Sequence, residues 1–362
     1  MKGTDEKYMM RALGLARKGL GRVSPNPMVG AVIVKGGRII GEGWHGRYGG
    51  KHAEIEALEK VATVAGVKGS TLYVTLEPCA HFGKTPPCVD RVIAAGITRV
   101  VIGTRDPNPL VAGKSIRKLR ARGIETEVGI LEEECRGLNE KFFKYMLQAR
   151  PFVTLKIAQT LDGRIAASSG DSRWISSPAS RRLAHRERSL HDAVMVGIGT
   201  VIQDDPELTV RHVRGRNPLR IVVDSKLRIP PESKILQDQG KTPTIVACSR
   251  NHNLKKFEQL RKLGIDVVVA GAGQVDLRSL LSLLAKENIS SVLVEGGAGL
   301  YTSFLKEKLA DRILAVIAPV ITGKGIEAFG DLGIKKIRDA QKLEIRKILR
   351  READVILDAR LK

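Results

Sequence analysis

Apolar positions along the first 150 residues follow two alternating rhythms. Met9 to Lys18 carries them at helical spacing, whereas MVGAVIV (Met28 to Val34) is an unbroken apolar run of strand length. His52 to Val61 again reads as a helix, and TLYVTL (Thr71 to Leu76) as a strand. Val89 to Ala95 is helical, RVVIGT (Arg99 to Thr104) a strand and Ser115 to Arg122 helical. Such alternation with short connections predicts a sheet covered by helices. Gly137 to Pro151 predicts a closing helix and linker, with Pro151 as punctuation.

The pattern restarts at Phe152 with FVTLKIA, followed by DAVMVGI (Asp192 to Ile198) and RIVVDS (Arg220 to Ser225). TIVACS, DVVVAG, SVLVEGG and RILAVIAPVI supply further strands, with helices between several of them. The expectation is two α/β domains, residues 1–147 and 150–362. The last segment, RKILRREADVILDARLK, reads as a final strand or tail.

A length of 362 residues agrees with two cores rather than one. The chain is 43% apolar and 28% charged, as expected of a globular protein, and no apolar run is long enough to span a bilayer. The start, MKGTDEKYMMRALGLARKG, has no apolar signal core, so a cytoplasmic location and no membrane partner are expected. The formal charge of +22 would suit phosphate-bearing ligands. Because the basic residues are spread along the chain, a solvated Lys/Arg surface accounts for most of them.

Four cysteines in a chain of this size make no disulfide framework. Cys79 and Cys88 instead join His52 in a pattern with metal chemistry: His52-Ala53-Glu54 at a helix start, then Pro78-Cys79 after a strand, then Cys88. One His and two Cys complete a catalytic zinc set whose fourth position stays open for water, and bound zinc brings that water towards hydroxide near neutral pH. Glu54, two residues from a ligand, is placed to carry the proton to a ring nitrogen and leaving ammonia. A core histidine with two buried thiols would fit each residue alone. It does not explain their order beside helix and strand signals. Cys135 and Cys248 read as structural.

Eight residues, AHFGKTPP, separate the two cysteines, where the common deaminase signature has two. The loop carries His81 and Lys84 and stiffens at Thr85-Pro86-Pro87. A cation beside the metal would suit a substrate phosphate; a solvated loop lysine is the equal alternative.

SPNPMVGAVIV, HAEIEAL, VTLEPCAHFGKTPPCVDRVI and DPNPLVAGKSI together resemble the deaminase half of the bifunctional riboflavin-biosynthesis deaminase–reductases. The resemblance covers nearly all of residues 1–147 and includes the long cysteine spacing. It implies a cytidine-deaminase-like three-layer domain acting on 2,5-diamino-6-(5-phosphoribosylamino)pyrimidin-4(3H)-one. It also implies that Asn26, His45, His81 and Asn108 contact pyrimidine or ribose and that Lys84 meets the phosphate.

In the second half, VGIGTVIQDDP and VEGGAGLYTSF place glycines after strands, where backbone N–H groups can approach a phosphate. Gly297 and Gly299 match the start of a dinucleotide fingerprint, but Thr302 stands in the third glycine position, so a standard Rossmann domain is excluded. LKIAQTLDGRIA, GDSRWIS, DDPELTVR and VVDS resemble the reductase half of the same family. That resemblance implies a dihydrofolate-reductase-like α/β domain using NADPH to reduce a ribosyl group to ribityl. By position, Ala158, Trp174, Thr200, Asp204, Ser225 and the loop Gly297, Ala298, Gly299, Leu300, Tyr301, Thr302 and Ser303 would hold the cofactor. Ser172, Arg188, Leu208, Arg211 and Glu295 would hold substrate, the two arginines suiting a phosphate. Lys156 is open between substrate contact, proton donation and a structural salt bridge.

Two rivals are weaker. A tRNA-editing zinc deaminase would explain the basic charge, but 4% aromatic content leaves little for base stacking, and the second half has no RNA-binding signature. A structural zinc protein would close the fourth position. The partners expected are therefore phosphoribosylated pyrimidines, with no nucleic acid; the sequence leaves homo-oligomer formation open.

Overall fold

The computed structural model describes residues 2–61, 63–80, 86–109 and 111–362. It divides into two compact units, Met1–Ala149 and Arg150–Lys362.

The first unit has five strands among its described residues: β1 (Gly30–Lys35), β2 (Arg38–Trp44), β3 (Thr71–Leu76), β4 (Arg99–Thr104) and β5 (Glu125–Val128). They form one sheet in the order β2-β1-β3-β4-β5. β1 runs antiparallel to β2 and β3, and the remaining pairs are parallel. Alternate residues of the inner strands enter different cores. Ala31, Ile33, Leu72, Val74, Val100 and Ile102 face a core with Ala53, Ala57 and Leu119. Val32, Val34, Tyr73 and Val101 face another, with Met9, Ala12, Leu13 and Cys135. Burial on both faces is why these strands read as near-continuous apolar runs. The result is three layers, cytidine-deaminase-like, with the helices Lys2–Ala16 and Glu132–Leu138 on one face and Ala53–Glu59, Cys88–Ala94 and Lys114–Ala121 on the other.

Gly43 lets the helix Ala53–Glu59 lie close on β2. A Cβ there would meet the Ala53 carbonyl oxygen at 2.2 Å and the Ala57 nitrogen at 2.4 Å. This close approach fixes the helix start that carries His52 and Glu54.

The second unit supplies β6 (Phe152–Thr160), β7 (Arg164–Ala167), β8 (Ala193–Gly197), β9 (Leu219–Val223), β10 (Thr244–Cys248), β11 (Asp266–Val269), β12 (Ser291–Val294), β13 (Arg312–Ala318), β14 (Gly325–Glu327), β15 (Leu343–Arg351) and β16 (Asp354–Leu361). Nine of them form one sheet, β11-β10-β9-β8-β12-β6-β13-β16-β15, while β7 pairs with β14. From β11 to β13 the pairing is parallel, and β16 and β15 add antiparallel. This is the dihydrofolate-reductase-like α/β unit. Met195, Ile221 and Ala247 pack with the helices Leu277–Lys286 and Ala298–Lys306. Val194, Val196, Val222 and Val246 face an opposite core with Ile198, Val201 and Leu260.

One expectation changes and one is incomplete. The final segment is a hairpin rather than one strand or a tail, because the chain reverses after Arg351 with Glu352 at φ 53°. The closing helix of the first unit stands as expected within Gly137 to Pro151, at Glu140–Gln148, but a helix the sequence does not predict, Glu132–Leu138, precedes it. They meet at Asn139, whose side chain bonds Met28 at both its nitrogen and its carbonyl oxygen instead of continuing a helix.

Candidate functional site

His52 caps the helix Ala53–Glu59 in extended conformation, and Cys88 opens the helix Cys88–Ala94. Cys79 follows the end of β3. Their donor atoms all lie within 4.8 Å of one another. His52 Nδ1 is 3.2 Å from Cys88 Sγ and 3.6 Å from Cys79 Sγ. A tetrahedral zinc with ordinary bond lengths would space such atoms about 3.5–3.8 Å apart, so the set fits zinc with little adjustment. The Cys88 backbone amide donates to Cys79 Sγ at 3.2 Å. Hydrogen bonding by Cys88 holds the Cys79 thiol well below the usual range, and Cys79 in turn pushes Cys88 up. One thiolate is thus favoured even before a cation joins.

Glu54 is buried, and burial, reinforced by the charge of Cys79, pushes its carboxyl up to about 7. It lines a cavity of about 240 Å³ together with His52, Cys79, Asn26, His45 and Asn108. His45 Nδ1 lies 2.9 Å from the Lys51 carbonyl, which can only accept, so Nδ1 carries the proton and Nε2 is the acceptor facing Asn26 Nδ2 at 3.2 Å. Burial lowers the His45 pKa, which keeps the ring neutral. Of the residues expected here, His81 and Lys84 lie outside the described residues.

The sequence reading singles out neither Glu77 nor Asp106, and both line this cavity. Glu77 Oε1 accepts from Ser115 Oγ at 2.8 Å, and its Oε2 accepts from the Gly113 amide at 3.0 Å. It thereby ties the strand end that carries Cys79 to the segment that carries Asn108. Asp106 accepts from the Asn108 amide at 2.8 Å, and burial pushes its carboxyl up to about 7. Their adjacency to Pro78-Cys79 and Pro107-Asn108 is the one signal that could have marked them.

In the second unit a cleft of about 870 Å³, large for a small-molecule site, lies at the carboxyl ends of β8, β9 and β12. Ala158, Trp174, Thr200, Asp204, Ser225, Gly297, Ala298, Gly299, Leu300, Tyr301 and Ser303 all line it. Thr302 is not among its lining residues: its hydroxyl donates to the Ala298 carbonyl at 2.6 Å and accepts from the Gly330 amide at 2.8 Å. Two helices begin at the cleft, after Gly197 and after Gly297, with open space around Gly299. Backbone N–H groups therefore face the cavity at two points, as a pyrophosphate requires.

Lys156, Ser172, Arg188, Leu208, Arg211 and Glu295 line the same cleft. Arg188 Nη1 donates to the Thr209 carbonyl at 3.1 Å, and the rest of its guanidinium binds the Glu295 carboxylate. Lys156 Nζ is 3.9 Å from the same carboxylate. Burial lowers the Lys156 pKa; burial would raise Glu295, but Arg188 and Lys156 hold it below its usual value. Arg211 is half exposed and pairs with Glu207. Asp205 and Leu208 take positive φ, 40° and 54°, a strained turn that brings Leu208 to the cleft.

Family models match both units: "Cytidine and deoxycytidylate deaminase zinc-binding region" over residues 2–104 and "RibD C-terminal domain" over residues 151–357. The riboflavin biosynthesis protein RibD of Aquifex aeolicus is 48% identical, the match covering 98% of this chain and 97% of that one. Its Escherichia coli counterpart is 40% identical over 98% of each. A Thermotoga maritima crystal structure described as a diaminohydroxyphosphoribosylaminopyrimidine deaminase/5-amino-6-(5-phosphoribosylamino)uracil reductase aligns with TM-score 0.87 at 40% identity, over 100% of this chain and 99% of that one. Acinetobacter baumannii RibD aligns with TM-score 0.90 at 36% identity, over 100% of each.

Proposed function

We propose how the residues of this chain, which belongs to the RibD family of riboflavin-biosynthesis proteins, divide between the deaminase and reductase reactions of that family. The chain is a bifunctional enzyme with a zinc-binding-type deaminase unit and a reductase unit. The substrates are 2,5-diamino-6-(5-phosphoribosylamino)pyrimidin-4(3H)-one for deamination, then its aminouracil product for reduction of ribosyl to ribityl. The setting is cytoplasmic.

The observation that carries the first half is the convergence of His52, Cys79 and Cys88 on one point beside buried Glu54. These three residues would hold zinc, which when bound acts as a Lewis acid that makes water nucleophilic near neutral pH. Glu54 moves the proton from water to the pyrimidine ring nitrogen and then to departing ammonia. Asn26, His45 and Asn108 orient the ring and ribose from the cavity wall, and His81 and Lys84 complete the contacts, Lys84 at the phosphate.

In the reductase cleft NADPH, when bound, supplies the hydride. The helix starts after Gly197 and Gly297 would receive its pyrophosphate, with Ala158, Trp174, Thr200, Asp204, Ser225, Gly297, Ala298, Gly299, Leu300, Tyr301 and Ser303 as the surrounding wall. Ser172, Leu208 and Glu295 hold the sugar. Lys156, kept from its ordinary basicity by burial, is placed to give a proton to the reacting sugar. Arg188 is locked in a buried pair with Glu295, whereas the pair of Arg211 with Glu207 is half exposed and opens at little cost, so Arg211 is the stronger candidate for the phosphate. Variants of each site test the division. Glu54→Gln should lower deamination by at least about 10²-fold and leave reduction of supplied deaminated substrate intact. Arg211→Ala should lower reduction about ten- to a hundredfold and spare deamination. One variant impairing both reactions in a folded protein would contradict it.

A further inference from the structure

We infer that His185 is a further ligand-binding residue of the reductase cleft, a neutral imidazole whose Nε2–H donates to an oxygen of the bound sugar phosphate. The inference rests on the reading of this cleft as the reductase substrate site. His185 lies on the helix Pro178–Ser189, three residues before Arg188 and so on the same helical face. It is 6% exposed, and the opening it does have is onto the cleft.

Its tautomer follows from one contact. The Arg211 backbone amide donates to His185 Nδ1 at 3.1 Å, and an amide N–H cannot accept, so Nδ1 carries no proton and Nε2 does. The ring plane is fixed by His212, which meets it edge-on at a centroid distance of 4.5 Å and an angle of 82°. Nε2 itself has no hydrogen-bond partner among the described residues, yet it is not one of the polar atoms sealed from solvent. A donor held in one orientation and left unpaired at the wall of a cleft is placed for a ligand oxygen. Burial, with Arg188, His212 and Arg211 nearby, pushes the ring down to about 4, so the donor is uncharged at working pH. It can therefore orient the sugar phosphate without competing with Arg211 for its charge. Core packing alone would explain the burial but not the free Nε2–H.

Three side chains separate the two roles. Asn can replace the acceptor at Nδ1, so it keeps the bond from the Arg211 amide but does not reach the cleft; Gln reaches it with an amide N–H. His185→Asn should raise the reductase KM for the aminouracil substrate about five- to tenfold. Its kcat should change less than twofold, with NADPH KM and deamination as in wild type. His185→Gln should recover most of that loss. Comparing the phosphorylated substrate with its dephosphorylated form locates the acceptor: if the oxygen belongs to phosphate, the Asn effect vanishes without it; if to a sugar hydroxyl, the effect persists. An unchanged substrate KM in His185→Asn overturns the inference, as does an equal rise in NADPH KM. Wild-type protein that oxidises no NADPH with this substrate would overturn the reading of the cleft itself.

Discussion

Arg188 and Glu295 are joined by two hydrogen bonds, Nε to Oε1 at 2.5 Å and Nη2 to Oε2 at 3.1 Å, with Lys156 Nζ 3.9 Å from the same carboxylate. One buried anion thus holds two cations in the floor of the reductase cleft.

Removing that anion should be costly. In Glu295→Ala, Arg188 and Lys156, only 13% and 16% exposed, lose their shared partner. Breaking a buried pair in this way costs about 3–5 kcal/mol. Calorimetry of the full chain should show the transition of the reductase unit moved to lower temperature. A change below about 1 kcal/mol would mean that water already reaches these charges.

Cys88→Ser tests the ligand set. Wild-type protein should carry about one zinc per chain, and the variant should lose most of it together with deamination, because a hydroxyl is a poor zinc ligand. Elemental analysis finding full zinc in the variant would remove Cys88 from the set.

His185 predicts a pH dependence of stability. Its folded pKa is pushed down to about 4 by burial, aided by Arg188, His212 and Arg211 against the weaker opposing pull of Glu295. An unfolded histidine titrates near about 6.5, so between these values the unfolded chain binds more protons and stability falls as pH falls. This contribution is whole above about pH 6.5 and shrinks by about 1–2 kcal/mol on going to pH 5. Urea unfolding of wild type and His185→Asn at pH 7 and pH 5 should show a steeper loss in wild type. Parallel losses would mean that the ring is solvated in the folded state.

Much of this was legible in the sequence, for identifiable reasons. Zinc chemistry needs rare residue types, so His52, Glu54, Cys79 and Cys88 stood out without any fold. Strands buried on both faces, such as β1 and β3, were found because their apolar runs are nearly continuous, with Thr75 the one polar residue inside β3. β2 was missed because RIIGEGW alternates weakly and carries two glycines, which close packing against a helix requires but propensity disfavours. The terminal hairpin hid because β15 is almost wholly exposed, and the alternation begun by Leu343 and Ile345 breaks at a register shift before Ile348 and Leu349. Glu77 and His185 bond partners distant in sequence, and the Asp106 amide reaches Glu77 across 29 residues; single-chain patterns do not display such contacts. The engagement of Arg188 by Glu295 was equally invisible, since 107 residues separate them.

The central claim is that one chain performs two consecutive reactions on one phosphorylated pyrimidine. The direct measurement is a time course of purified, zinc-loaded protein with the phosphoribosylated diaminopyrimidine, following ammonia release and NADPH oxidation together. Without NADPH, ammonia should appear and the reaction should stop at the aminouracil. With NADPH, one cofactor should be oxidised per ammonia released, after a lag. NADPH oxidation with no ammonia, or ammonia with no subsequent oxidation, would contradict the account.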